Sequence, residues 1–206
     1  MITAVFAMVA RTALLRHNSI ERQSGHALSV LLKVEQLRDA VRNIPNFPSP
    51  GIQFKDITPI LSDRELLMQS VDALADPYLE TGITKVLGIE ARGFILGGML
   101  ARRLGAGLIP IRKKGKLPHD ILKAEYELEY GTDCFEMHAD ALDASDIVLI
   151  HDDVIATGGT AAAAGRLARE TGAQIAGFAF LIELEFLTGR KALEHGARVH
   201  SVLRYQ

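Results

Sequence analysis

The sequence predicts an α/β protein: a mostly parallel, twisted sheet flanked by helices. Three observations carry that expectation. Short apolar runs recur at "KVLGIE", "GLIPI", "DIVLIHD", "AQIAGFAFLIEL" and "RVHSVL", and such runs bounded by turn residues read as strands buried on both faces. Stretches with helical spacing alternate with them, supplying the crossover connections that a parallel sheet needs. Two of the strands run directly into glycine-bearing turns that open helices, "GIEARGF" and "IHDDVIATGGT". That is where open α/β sheets bind ligands, outside the carboxyl ends of the strands.

Residues 1–30 stand apart from this pattern. They carry Arg11, Arg16 and Arg22 against a single acid, Glu21, a composition that suits a targeting segment, a disordered tail or an upstream start. They are expected to lie outside the fold, with residues 31–206 forming one domain. Leu31, Val34, Leu37, Val41 and Ile44 fall at helical spacing and predict a helix over "LLKVEQLRDAVRNI". "PNFPSPG" then predicts an extended, turn-rich loop. "SDRELLMQSVDALADPYLETG" reads as an amphipathic helix capped by Ser62, with Glu65 three residues on. A helix over Phe94–Leu104 follows the first strand, and an alanine-rich helix from Gly159 to Glu170 follows the third.

Composition narrows the partners. Of 206 residues, 48% are hydrophobic and 23% charged, with a net charge of -2. A soluble globular chain is expected, without the broad basic field that nucleic acid requires. Cys134 is the only cysteine, so neither an intramolecular disulfide nor a cysteine zinc site is available. No apolar run approaches the roughly 18 residues of a spanning helix. A cytoplasmic protein with a small-molecule ligand and no membrane partner is the expectation.

"IHDDVIATGGT" carries the ligand's signature. Thr157, Gly158, Gly159 and Thr160 stand where a strand gives way to a helix. Glycines there let backbone N–H groups converge, the helix N-terminus adds partial positive charge, and the threonines add hydroxyl donors. The turn suits a phosphate monoester, and no lysine follows the glycines to make a Walker loop. Asp152 and Asp153, a few residues upstream, accept hydrogen bonds from vicinal hydroxyls and attract Mg²⁺. A phosphate at one end and a diol in the middle describe a ribose 5-phosphate.

This stretch resembles the phosphoribosyl-diphosphate-binding motif of the type I phosphoribosyltransferases. "FPSPGIQFKDITPIL", "GIEARGF" and "IRKKGKLPHDILKAEYELEYGTD" narrow the likeness to the adenine phosphoribosyltransferase family, from about Val34 to near the C-terminus. The resemblance implies the type I phosphoribosyltransferase fold with a small base-binding hood from the N-terminal part. It implies a purine salvage enzyme that transfers the phosphoribosyl group of 5-phosphoribosyl 1-diphosphate to N9 of adenine, giving AMP and diphosphate. Mg²⁺ is the implied cofactor, carried mainly by the diphosphate with Asp152 and Asp153 as the protein groups near it, and a homodimer is the implied assembly.

The resemblance also assigns roles. Ala156, Thr157, Gly158, Gly159 and Thr160 would hold the 5′-phosphate, and Asp152 and Asp153 the ribose hydroxyls. Glu90, Ala91 and Arg92 would form the pyrophosphate loop, with a cis peptide between Glu90 and Ala91 and with Arg92 stabilising the departing charge. Arg112, Lys113, Lys114 and Lys116, crowded around Gly115, would clamp the diphosphate. The segment from there to Gly131 would be a mobile lid, ordered by Tyr126 and Tyr130. Glu129 would be the acid facing N7 of the purine. Backbone groups at Gln53 and Lys55, with Phe54 between them, would read the adenine edge, and Val154 would floor the ring. His151 is read as a half-buried strand histidine. Two rivals remain: an enzyme for another base, and a regulator that keeps the fold only to sense the diphosphate sugar.

Overall fold

The structure is a computed structural model and describes residues 31–128, 131–193 and 195–206. The chain divides into two compact units, one ending at Pro59 and one beginning at Ile60.

In the first unit, residues 31–40 form helix α1. The predicted helix was longer. Arg42–Pro45 (β1) leaves it and pairs antiparallel with Gln53–Asp56 (β2), Ile44 lying opposite Phe54. The helix ends early because Arg42–Pro45 is taken up by pairing with Gln53–Asp56; Pro45 adds that Ile44 before it is driven out of helical geometry. The turn between the strands holds a cis Phe47–Pro48 peptide and a left-handed Asn46, whose side chain accepts the Gly51 N–H at 2.9 Å. Phe47 meets Phe54 edge-on at 5.1 Å.

The division falls within a short helix, Thr58–Ser62 (α2). Helix Arg64–Ala75 (α3) is capped by Asp63, not by the expected Ser62: the Asp63 carboxylate accepts the N–H groups of Glu65 and Leu66 at 2.8 and 2.9 Å. A carboxylate also answers the positive end of the helix, which a hydroxyl does not.

The second unit is built on a seven-stranded sheet ordered β5-β6-β4-β3-β7-β8-β9. Its strands are Lys85–Ile89 (β3), Gly107–Lys113 (β4), Ile121–Leu128 (β5), Gly131–His138 (β6), Ile147–Ile155 (β7), Gln174–Leu184 (β8) and Val199–Tyr205 (β9). β4, β3, β7, β8 and β9 are mutually parallel, and these are the five strands that the sequence predicts. The other two, β5 and β6, are not among the strands that the sequence predicts. β5 and β6 form an antiparallel hairpin in continuous register from Ile121↔His138 to Leu128↔Gly131, joined to the sheet edge where Arg112 lies opposite Glu136.

Helices Gly93–Leu104 (α4) and Gly159–Glu170 (α5) cover opposite faces of the sheet. Ile150 and His151 are successive residues of β7 and so point to opposite faces. A side-chain carbon on Gly165 of α5 would meet Ile150 and Phe178, whereas one on Gly97 of α4 would meet His151. The core on the α5 face joins Ala161, Ala164 and Leu167 to Leu87, Ile150, Phe178 and Phe180, and extends under the hairpin through Tyr126 and Phe135. Small residues along α5 let it sit close on the sheet, which fixes the position of its N-terminus.

Candidate functional site

The parallel arrangement brings the carboxyl ends of β3, β4 and β7 to one edge. Three loops that are distant in sequence meet there. A cavity of about 390 Å³ is lined by Glu90, Ala91, Arg92, Lys113, Lys116, Asp152 and Asp153, all of them residues singled out from the sequence.

Glu90 is the hub of the cationic side. Its carboxylate accepts Arg112 Nε at 3.0 Å and the Lys113 N–H at 2.9 Å, and it also pairs with Lys116 Nζ. Burial pushes its pKa up, but the hydrogen bonds from Lys116, Lys113 and Arg112 outweigh that and bring it down to about 2. The peptide joining it to Ala91 is cis. Arg112 also lies 5.8 Å from the Phe94 ring centre.

The turn that carries the lysines is pinned from the hairpin. Gly115, left-handed at φ 78°, donates its N–H to Glu136 at 2.8 Å, and Glu136 is 1% exposed. The Lys114 N–H bonds Cys134 O at 3.1 Å. Lys113 Nζ lies 3.5 Å from Asp133, which also accepts the Tyr126 hydroxyl at 2.9 Å. Sequence reasoning missed Asp133 and Glu136. Their signal was the alternation in "ILKAEYEL" and "GTDCFEMH", which marks the strands that carry or face them.

On the anionic side, Asp152 and Asp153 lie near the end of β7, which runs two residues further, to Ile155. Arg92 Nε pairs with Asp153. Burial, and then the neighbouring charge of Asp153, raise the Asp152 pKa well above the usual carboxylate range. The close approach that Gly93 permits is to this strand: a Cβ there would lie 2.9 Å from the Asp152 carboxylate. His151 is fully buried rather than half-buried. Its Nδ1 lies 2.9 Å from Ala179 O, and burial lowers its pKa to about 4, so the ring is neutral at physiological pH.

Beyond Ile155 the chain makes the glycine turn. Gly158, left-handed at φ 83°, is the N-cap of α5 and accepts the Ala162 N–H at 2.9 Å. No side chain caps this helix start, and the first-turn N–H groups of a helix have no acceptor within it. Thr157 is exposed at the turn, while Ala156, Gly159 and Thr160 are half-buried. Thr157 and Gly159 line a second cavity of about 590 Å³ with Glu125, Tyr126, Ala162, Arg166 and Ala192. Val154 lies in β7 opposite Ile182.

Gln53, Phe54 and Lys55 occupy β2 of the first unit, opposite Pro45, Ile44 and Asn43. Lys55 Nζ reaches Asn43 Oδ1 at 2.5 Å. Glu129 and Tyr130 lie outside the described residues, as does the extension 1–30. Among the described residues, no helix is long and apolar enough to cross a membrane.

Comparison with known proteins places this geometry. The phosphoribosyl transferase domain family matches residues 60–200. The adenine phosphoribosyltransferase of Brucella anthropi is 49% identical over 171 residues, which are 82% of this chain and 94% of that one. The structure resembles that of Rhodothermus marinus adenine phosphoribosyltransferase with a TM-score of 0.82 at 58% identity, covering 85% of this chain and 99% of the other. It also resembles the Saccharomyces cerevisiae enzyme, solved with an imino-altritol bisphosphate and adenine, with a TM-score of 0.80 at 43% identity over 84% of this chain and 99% of that one. A matching family model, identity at this level over nearly the whole described chain and a common fold leave one conclusion: the protein belongs to the phosphoribosyltransferase family and, within it, to the adenine phosphoribosyltransferases.

Proposed function

We propose that the protein transfers the phosphoribosyl group of 5-phosphoribosyl 1-diphosphate to N9 of adenine, releasing AMP and diphosphate in purine salvage. The observation that carries the reading is the cavity where Arg92, Lys113 and Lys116 face Asp152 and Asp153, beside the start of α5. Cations line the part suited to a departing diphosphate, and carboxylates the part suited to sugar hydroxyls.

Ala156 to Thr160 hold the 5′-phosphate with backbone N–H groups and hydroxyls at the N-terminus of α5. Asp152 and Asp153 bind the ribose hydroxyls and hold C1′ in line. The bond from C1′ to the diphosphate oxygen breaks as the sugar gains oxocarbenium character. Its electron pair leaves with the diphosphate, whose charge is met by Arg92, Arg112, Lys113 and Lys116, with Glu90 organising those cations. The N9 lone pair of adenine then forms the new bond. The ring proton that adenine loses as this bond forms passes from the N7 side to the Glu129 carboxylate, Gln53, Phe54 and Lys55 read the base, and Val154 supports it. Tyr130, beside Glu129, helps the hairpin close over the site and exclude water.

Mg²⁺ fits this site as the companion of the substrate diphosphate rather than as a resident ion. No group of three or more His, Cys, Asp or Glu side chains among the described residues is arranged to hold a metal. Mg²⁺ commonly binds through one or two carboxylates together with substrate phosphates, a donor set that Asp152 and Asp153 provide. When bound it neutralises diphosphate charge. A cytoplasmic homodimer is the proposed working form, with residues 1–30 an extension to the single domain 31–206.

The test is nucleotide formation from Mg²⁺ and 5-phosphoribosyl 1-diphosphate with adenine, hypoxanthine, guanine or orotate offered separately. AMP from adenine alone is expected. Product from another base would overturn the reading of Phe54 and Glu129. Sugar binding without any product would make the chain a sensor.

A further inference from the structure

The motif Ala156–Thr160 is braced by a segment outside it. A side chain on Gly158 would run into Gly189 O and stand 3.0 Å from Ala192 Cβ; a side chain on Gly189 would run into Ala156 O and stand 3.0 Å from the Ile155 side chain. The two glycines therefore pack backbone on backbone, and the back of the glycine turn rests on residues 189–192. Gly189 opens a short 3₁₀ turn, Gly189–Ala192, after a left-handed Thr188 at φ 51°. That turn is closed by the Lys191 N–H on Thr188 O at 3.0 Å and the Leu193 N–H on Arg190 O at 3.1 Å. A 3₁₀ turn this short has little stability of its own, so something else must fix it.

Arg190 does so. Its guanidinium meets Glu183 in a fork, Nε to Oε1 at 2.5 Å and Nη2 to Oε2 at 2.6 Å, and Nη1 donates to Val199 O at 3.0 Å. Nη2 also lies 3.3 Å from Ser201 Oγ. Glu183 is 5% exposed and sits in β8 opposite Ile155, the last residue of β7. One ion pair thus ties the brace to β8, the neighbour of β7, and to β9 beyond it. A bidentate arginine–carboxylate pair fixes direction as well as distance, which a lysine in the same place does not. Neither Glu183 nor Arg190 lines either cavity described above, although Ala192 of the brace lines the larger one.

We propose that Glu183 and Arg190 are positioning residues for the 5′-phosphate turn: they seat Gly189 against Gly158 so that the turn's N–H groups converge before substrate arrives. The proposal rests on the assignment of Ala156–Thr160 to the phosphate. Displacing a preorganised phosphate turn weakens the phosphate-bearing ligand selectively, whereas a merely structural ion pair lowers thermal stability and treats both substrates alike.

The experiment compares Arg190→Lys, Glu183→Gln and, within the turn itself, Thr160→Ala. Readouts are KM for 5-phosphoribosyl 1-diphosphate, KM for adenine, kcat, melting temperature, and the affinity for ribose 5-phosphate by calorimetry. Arg190→Lys should raise KM for the diphosphate sugar and weaken ribose 5-phosphate binding on the order of tenfold, with the adenine KM changed by less than about twofold. Glu183→Gln should match it, and it replaces it if Arg190→Lys does not fold. Weakened binding in Thr160→Ala, with Arg190→Lys and Glu183→Gln altering only the melting temperature, overturns the positioning role and leaves the phosphate assignment standing. Unchanged ribose 5-phosphate binding in Thr160→Ala as well as in both other variants overturns the two together.

Discussion

Arg92 and Asp153, 61 residues apart in sequence, meet through Nε and Oδ2 across the mouth of the site. Arg92 is the N-cap of α4 and Asp153 lies in β7, so the pair fixes the pyrophosphate loop against the strand that carries the acids. It also keeps opposite charges apart from their proposed ligands: Arg92 is assigned to the diphosphate and Asp153 to a ribose hydroxyl. On the proposed assignment, substrate binding would exchange this internal ion pair for two ligand contacts.

Asp153→Asn tests that exchange. The amide keeps the shape and removes the charge, so the hydroxyl contact weakens and Arg92 loses its counter-charge. The loss of one charged hydrogen bond corresponds to a rise in KM for 5-phosphoribosyl 1-diphosphate on the order of tenfold. Steady-state kinetics with adenine saturating will measure it. An unchanged KM removes Asp153 from the ribose site.

Glu129→Gln tests the proton's route. If a carboxyl manages the purine ring proton, the amide should lower kcat by on the order of 10²–10⁴ while the KM values move little. Single-turnover rates separate this from slow product release. A near-normal rate assigns the proton to solvent.

The site was legible where one motif carries one role. "IHDDVIATGGT" showed the acids, the turn and the helix start in a single stretch, and α5 begins at Gly159 as that stretch implies. Helix α4 and the five parallel strands were legible for the same reason, each being a single uninterrupted pattern. What escaped depends on pairing between distant segments. The β1–β2 ladder is invisible in "RNIP" until "QFKD" lies opposite it. Asp133 and Glu136 acquire meaning only when β6 docks on β4 beside the lysine turn. The Ser62 cap failed because two good capping residues are adjacent, and only the geometry selects Asp63.

Tyr126→Phe probes the coupling between hairpin and lysine turn. The Tyr126 hydroxyl and Lys113 share the Asp133 carboxylate, and Tyr126 stacks on Phe135 at 4.9 Å. The phenylalanine keeps the stack and deletes the hydrogen bond, so the chain should lose about 1 kcal/mol by urea unfolding. Asp133 then keeps the Cys134 N–H at 2.8 Å and has Lys113 as its remaining side-chain partner, and Lys113 becomes harder to recruit to the diphosphate. KM for the diphosphate sugar should rise while that for adenine stays put. Equal changes in both would show that the hairpin does not act through Lys113.

Glu90 makes a prediction about pH. Its pKa falls from 4.5 to about 2 because, although burial opposes it, the bonds from Lys116, Lys113 and Arg112 favour the ionised form. Between those two values the unfolded chain binds this proton and the folded chain does not. The stability that Glu90 contributes is therefore complete above about pH 4.5 and shrinks as pH falls toward 2. Glu90→Gln has no such contribution to lose. The gap in urea midpoint between the natural protein and Glu90→Gln should be widest above about pH 5 and should narrow steadily down to about pH 3. A gap that stays constant across this range would mean that the glutamine differs in packing alone, and that the cations around Glu90 gain nothing from its charge.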